Sequence, residues 1–162
     1  MVTDPSNSKR EVVGSLLYLA TISRPDISFA VNYVSRFTKK PMRSHWAMVK
    51  RIFQYIKETT KFGISFNGDK NLSVYSDCDY GGDTETGQST SGVILLRGGP
   101  IVWLTQKPNT VSNSTAKAEY RAAVLAIDEV CWIRRLAQEL KQLYTSKPTP
   151  HYIDNHSLLF TY

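Results

Sequence analysis

The chain has 162 residues, of which 41% are hydrophobic and 21% are charged, an ordinary composition for a folded protein with a buried core. No apolar run approaches the roughly 18 residues of a membrane span, and the N-terminus lacks a secretory signal, so we expect an intracellular protein. Cys78 and Cys131 lie far apart without a Cys-x-x-Cys spacing, which argues against a disulfide framework or a zinc site.

The net charge of +6 is unevenly distributed along the chain. Residues 1–66 carry 11 Lys and Arg against 4 Asp and Glu, whereas residues 67–162 carry 9 against 10. A basic segment joined to an acidic one suggests contact with a phosphate backbone, although a solvated helical surface explains moderate charge equally well. The candidate nucleic-acid contacts are Lys39, Lys40, Arg43, Lys50 and Arg51.

Apolar residues at helical spacing predict three helices in the first 61 residues. The first helix should run to about Ile22, and the second restarts at Pro25, where proline suits the first turn. Pro41 ends the second helix, and Trp46 begins the apolar stripe of the third. We therefore expect a small helical bundle over residues 1–61.

The period changes to alternation near Phe62, where we place a domain boundary. Strands are expected over residues 62–66, 72–77, 91–97 and 101–104, and the Asn67-Gly68 turn suggests that the first two of these pair as a hairpin. The second strand ends on Asp77 just before a glycine turn, where carboxylates can bind hard divalent cations. Asp79 and Asp83 follow, and we interpret them as solvated turn acids.

A long helix is predicted from Ser114 to about Leu143. Its apolar stripe includes Ala122 and Ala126, and stepping back three residues from Ala122 reaches Glu119, so a carboxylate opens the buried face. Such a position fits a cation or another polar partner, because an unpaired buried charge is costly. The alternative is that the first helical turn is simply exposed, since acids are favoured near helix N-termini.

A short strand, residues 151–154, follows this helix and ends on Asp154. A strand reached through a long helix is expected to run parallel to an earlier one, so beside residues 72–77 it would bring Asp154 to Asp77. Residues 155–159 then predict the start of a helix. Asp77, Glu119 and Asp154 are therefore our candidate metal-binding and catalytic residues.

Short motifs run through nearly the whole chain: Gly14-Ser15-Leu16-Leu17-Tyr18-Leu19, Arg24-Pro25-Asp26-Ile27-Ser28-Phe29-Ala30-Val31, His45-Trp46, Tyr75-Ser76-Asp77, Ser89-Thr90-Ser91-Gly92, Ala118-Glu119-Tyr120 and Asp154-Asn155. In order and spacing they resemble the end of the polyprotein of Ty1/copia-type retrotransposons, where the reverse transcriptase runs into its ribonuclease H domain. The resemblance implies an α/β (α+β) protein: a thumb- or connection-like helical segment over residues 1–61, then a ribonuclease H-like mixed sheet with a long helix packed on it over residues 62–162.

The same resemblance implies that Asp77, Glu119 and Asp154 match the first three acids of a metal-binding set that holds Mg²⁺ or Mn²⁺ and cleaves the RNA strand of RNA–DNA hybrids. The chain departs from the family pattern at Asp79-Tyr80-Gly81-Gly82, usually Asp-Trp-Ala-Gly, and at Gly87-Gln88, usually Arg-Lys. The family's fourth metal-binding position, last strand and last helices would lie beyond Tyr162.

These departures predict an exposed sheet edge that invites a protein partner or a second copy. The candidate interface residues are Tyr152, Ile153, Leu158 and Leu159. The departures from the family pattern also favour a degenerate protein that acts by binding a protein or nucleic acid. The alternative is an active, metal-dependent ribonuclease H that grips an RNA–DNA hybrid through its basic segment.

Overall fold

The computed structural model describes residues 5–83, 86–108, 110–141 and 147–154, with side chains from residue 9 onward. The chain divides into two compact units, residues 1–64 and 65–162. In the described part of the chain, no helix is long and apolar enough to cross a membrane. The elements in chain order are α1 (Pro5–Ile22), a 3₁₀ helix (Pro25–Ile27), α2 (Ser28–Ser35), α3 (Arg43–Glu58), β1 (Ser73–Asp79), β2 (Thr90–Leu96), β3 (Pro100–Gln106), α4 (Thr115–Glu139) and β4 (His151–Ile153).

The first unit is helical, as the apolar spacing predicts. Its core is formed by one face of each helix, because the residues at three- and four-residue spacing point the same way. The buried set is Val13, Leu16, Ala20, Ile27, Val31, Val34, Val49 and Ile52. The second predicted helix differs in detail, since Pro25 opens a 3₁₀ turn before α2 begins at Ser28.

A buried arginine ties the turn before α2 to the end of α3. Arg24 is 6% exposed, and its guanidinium donates to Asp26 at 2.8 Å and to the carbonyl oxygen of Thr59 at 3.2 Å. The ion pair lowers the pKa of Asp26, because the guanidinium hydrogen-bonds to the ionised carboxylate. The Arg24-Pro25-Asp26 motif therefore has a structural role within the helical unit.

The second unit is a four-stranded mixed sheet in the order β3-β2-β1-β4, with α4 packed on one face. β1 and β2 are antiparallel, as are β2 and β3, whereas β4 is parallel to β1. Leu72, Val74, Val93 and Leu95 meet Ala126 of α4 in the core. The protein is thus mixed α/β, with a long helix packed on the sheet.

The predicted hairpin between residues 62–66 and 72–77 is wrong. Residues 62–67 form no strand, and β1 pairs instead with β2 and β4. Phe62 and Phe66 are more than half exposed, so their alternation marks no buried face. The turn that follows is held from elsewhere, because Gly68 donates its N–H to the carbonyl oxygen of Gly98 at 2.7 Å.

Candidate metal centre

Three carboxylates meet at one end of the sheet. Asp77 lies near the end of β1, Asp154 follows β4 directly, and Glu119 lies in the second turn of α4. Each of the three side chains offers an oxygen that lies within 4.8 Å of the others. Because β1 and β4 are paired in parallel, their carboxyl ends, which carry the acids, lie at the same end of the sheet.

The position of Glu119 follows from the start of α4. The hydroxyl of Ser114 caps the helix by accepting the backbone N–H of Lys117 at 3.2 Å. This cap fixes the helical phase, so Glu119 falls on the face that carries Ala122 and Ala126. Glu119 is 7% exposed. The alternative of an exposed first turn therefore does not apply to this acid.

Glu119 is a buried carboxylate that lacks a protein partner on one oxygen. Oε2 is shielded from solvent and accepts no hydrogen bond from the described residues. Burial raises the pKa of Glu119, and the nearby carboxylates of Asp77 and Asp154 raise it further. Burial and neighbouring negative charges thus disfavour the ionised form of Glu119, and a bound cation would stabilise it.

Small side chains pack between β1 and α4 next to the acids. Cys78, Ala118 and Ala122 pack there as a separate buried cluster. Burial raises the pKa of the Cys78 thiol, and the nearby Glu119 carboxylate raises it further, so the thiolate form is disfavoured. Small side chains at this point let α4 approach β1 closely enough to bring Glu119 beside Asp77.

Two nearby acids have different surroundings. Asp79 is exposed, as expected of a solvated acid, but it is the last residue of β1 and not part of the turn. Asp83 differs from that interpretation, because its side chain is 12% exposed and forms an ion pair with Lys107, the residue after β3. The pairing could not be read from the sequence, because it joins two loops 24 residues apart.

The oxygen-only donor set fits a hard divalent cation. Mg²⁺ and Mn²⁺ prefer carboxylate and water oxygens, and the three carboxylates supply negative charge around one point. The orphaned Oε2 of Glu119 adds a buried acceptor that a cation would satisfy. Asp77 and Glu119 would bind from β1 and α4, and Asp154 from the end of β4.

The other predicted site residues are not members of this carboxylate cluster. Lys39, Lys40, Arg43, Lys50 and Arg51 are all exposed, in or just before α3 in the helical unit. Tyr152 and Ile153 lie on β4, at the edge of the described sheet. Leu158 and Leu159 fall outside the described residues.

Reasoning from the sequence missed a partly buried hydrogen-bonded pair. Ser76 Oγ and His151 Nε2 lie 2.8 Å apart and share a hydrogen bond between β1 and β4. Burial lowers the pKa of His151. A signal was available, since Ser76 is a hydroxyl on the otherwise apolar face of β1, between Val74 and Cys78, and buried hydroxyls find partners.

Comparison with known proteins identifies related sequences. The chain is 38% identical over 124 residues to Secreted RxLR effector protein 161 of Plasmopara viticola, a match that covers 75% of this chain and 87% of the relative. It is 40% identical over 149 residues to the retrovirus-related Pol polyprotein from transposon RE2 of Arabidopsis thaliana, covering 90% of this chain. It is 41% identical over 130 residues to the Pol polyprotein from transposon TNT 1-94 of Nicotiana tabacum, covering 79% of this chain.

The extent of these matches differs between relatives. The chain spans about 10% of the length of each of these two polyproteins, but most of the effector protein. No protein-family model and no solved structure matches the chain. The sequence is therefore homologous to a segment of the retrovirus-related Pol polyproteins of copia-type transposons and, over most of its length, to Secreted RxLR effector protein 161.

Proposed function

We propose that this transposon-derived protein is a ribonuclease H-like domain that binds a divalent cation and, through that cation, a nucleic-acid phosphate. The observation that carries the proposal is the buried Glu119, which leaves Oε2 unsatisfied and offers a carboxylate oxygen within 4.8 Å of oxygens of Asp77 and Asp154. A cation at this point would relieve the repulsion among the carboxylates. It would also present a positive charge to a phosphate, which the acids alone would repel.

The basic helical unit supports nucleic acid as the partner. The five basic side chains that are its candidate nucleic-acid contacts are exposed, so binding to phosphate carries no cost of burying their charges beforehand. Phosphate contacts of this kind supply affinity without sequence specificity. An RNA–DNA hybrid is the ligand that the family resemblance indicates.

Binding, rather than rapid turnover, is the function that we favour. When bound, paired metals activate a water and stabilise the leaving oxygen of an in-line displacement, and this chemistry requires closely defined positions for both ions. Among the described residues the cluster contains three carboxylates, and Asp83 is engaged by Lys107. Cleavage of the RNA strand is the alternative. Both functions would use the same three carboxylates, so both can be tested on the same sample.

The experiment measures binding and cleavage of a fluorescently labelled RNA–DNA hybrid in EDTA, Mg²⁺ and Mn²⁺. We expect cation-dependent binding that Asp77→Asn abolishes, with the labelled RNA remaining intact. Asp79→Asn is the matched control, since it removes an exposed acid from the same strand. Metal-dependent cutting that Asp77→Asn removes would establish the enzyme instead, and binding that ignores both cation and mutation would refute the metal-mediated proposal.

The edge strand supports a second proposal, self-association. β4 lies at the edge of the described sheet, and a copy related by a twofold axis through Tyr152 could pair with it antiparallel to itself. Such pairing would satisfy backbone groups on both copies at once. We expect a concentration-dependent dimer in analytical ultracentrifugation, which Tyr152→Pro would weaken. A monomer at all concentrations would contradict the proposal.

A further inference from the structure

The third carboxylate of the centre depends on a very short strand. β4 comprises three residues, and Asp154 follows immediately after it. Its register with β1 pairs Val74 with His151 and Ser76 with Ile153. A ladder of this length provides few backbone hydrogen bonds, so other contacts must hold Asp154 beside Asp77.

One such contact lies on the face of the sheet that packs against α4. The 2.8 Å hydrogen bond between Ser76 and His151 joins the residue before Asp77 to a residue three positions before Asp154. Ser76 is 5% exposed, so water does not readily replace its partner. A bond in such surroundings is costly to break, because the hydroxyl would remain buried without a partner.

A second contact lies on the opposite face. Tyr75 and Tyr152 alternate with Ser76 and His151, so they project from the other side of the same two strands. Their rings stack with centroids 4.6 Å apart and planes 19° apart. Both rings are partly exposed, yet each covers the other across the β1–β4 pair.

The segment that leads into β4 is anchored to α4. Arg134 donates from Nη1 to the carbonyl oxygen of Lys147 at 3.0 Å and to Thr149 Oγ1 at 2.9 Å. Val74 in β1 donates its N–H to the carbonyl oxygen of Pro150 at 3.0 Å. The helix that carries Glu119 therefore also fixes the entrance to the strand that carries Asp154.

We propose that His151 is a positioning residue for the metal centre. Together with Ser76 on one face and the Tyr75–Tyr152 stack on the other, it forms a clasp that fixes the register of β4 and so brings the Asp154 carboxylate to Asp77 and Glu119. The link to the metal rests on the function proposed above. The clasp itself is a property of the β1–β4 pair and can be tested without any cation.

The test compares three variants of the full chain. His151→Leu removes the hydrogen bond and replaces the imidazole with an apolar side chain of similar bulk, whereas His151→Gln retains a polar group at a similar reach. Val102→Ala is the matched control, because it weakens the core at β3, a strand that pairs with neither β1 nor β4. Two quantities are measured for each: hydrogen exchange of peptides covering residues 147–154, and Mn²⁺ affinity by calorimetry.

We expect His151→Leu to accelerate exchange selectively in residues 147–154 and to weaken Mn²⁺ binding by about tenfold, as removal of supporting contacts around metal ligands commonly does. His151→Gln should restore both quantities most of the way. Val102→Ala should lower global stability yet leave the Mn²⁺ affinity within about twofold, because β3 carries none of the three acids and pairs with neither β1 nor β4.

The outcomes separate the two proposals. Unchanged exchange in residues 147–154 of His151→Leu would overturn the clasp. An equal loss of Mn²⁺ affinity in Val102→Ala would also overturn it, because it would indicate general instability. If the unmodified protein binds no Mn²⁺, the proposed function fails, and selective exchange in His151→Leu then decides whether the clasp exists. Normal Mn²⁺ affinity in His151→Leu despite faster exchange would show that His151 does not position the metal ligand.

Discussion

Replacing Glu119 with glutamine should stabilise the protein when no divalent cation is present. The wild-type carboxylate is 7% exposed, leaves Oε2 without a hydrogen bond and lies within reach of two further acids. Glutamine keeps the shape of the side chain, removes the charge and gives an amide that can donate to Asp77 or Asp154. The substitution therefore relieves repulsion and satisfies a buried polar group at once.

The size of the effect follows from these contacts. A buried polar atom without a partner costs about 1–3 kcal/mol, and one new hydrogen bond recovers about 1 kcal/mol. We therefore expect Glu119→Gln to raise the free energy of unfolding by about 1 kcal/mol in EDTA. For a protein of this size that corresponds to an increase of about 2–4 °C in the melting temperature.

The assay is urea and thermal unfolding, followed by circular dichroism, in EDTA and in millimolar Mn²⁺. Ligand binding stabilises the folded state, so Mn²⁺ should raise the stability of the wild type much more than that of Glu119→Gln. The difference in unfolding free energy between the two proteins should therefore shrink or change sign when Mn²⁺ is added. A Glu119→Gln variant that is less stable than the wild type in EDTA would refute this account of the buried carboxylate.

Three further predictions concern the two units separately. Leu95→Ala should lower the stability of the sheet unit by about 2–5 kcal/mol, because the Leu95 side chain is fully buried; Leu140→Ala, at a side chain that is 59% exposed, is the control in the same urea titration and should change stability by less than about 0.5 kcal/mol. Asp26→Asn should destabilise the helical unit at neutral pH, because Arg24 lowers the folded pKa of Asp26; the difference from the wild type should be full above the unfolded pKa of about 3.9 and vanish as the pH falls through the folded value, and a pH-independent difference would contradict the ion-pair explanation. Gln substitution at each of Lys39, Lys40, Arg43, Lys50 and Arg51 should reduce the slope of log affinity against log salt for hybrid binding by about 1 where that side chain meets a phosphate, and five unchanged slopes would remove this surface from the proposal.

Much of the fold could be predicted, because local periodicity of apolar residues indicates most of the helices and strands. The stripes at three and four residues located α1, α3 and α4, and alternation with turn residues located β1, β2 and β3. Phe62 and Phe66 show the limit of that reasoning. Alternation over five residues cannot distinguish a strand from an extended segment whose aromatic side chains remain exposed.

The candidate site was predictable for the same reason and to the same extent. The glycine turn that follows the strand predicted Asp77 near its carboxyl end, although β1 continues to Asp79. Helical phase placed Glu119 on the buried face of α4. The contacts that support them were not predictable, because the Ser76–His151 bond spans 75 residues and depends on the register of two parallel strands. No local pattern specifies that register.

The most direct test of the central claim is calorimetric titration of Mn²⁺ into chelator-stripped protein and into Asp77→Asn. The account predicts saturable binding to the wild type and its loss in Asp77→Asn, with Asp79→Asn behaving as the wild type. Equal heats in all three proteins would contradict the claim, because they would show that Asp77, Glu119 and Asp154 do not form a cation site.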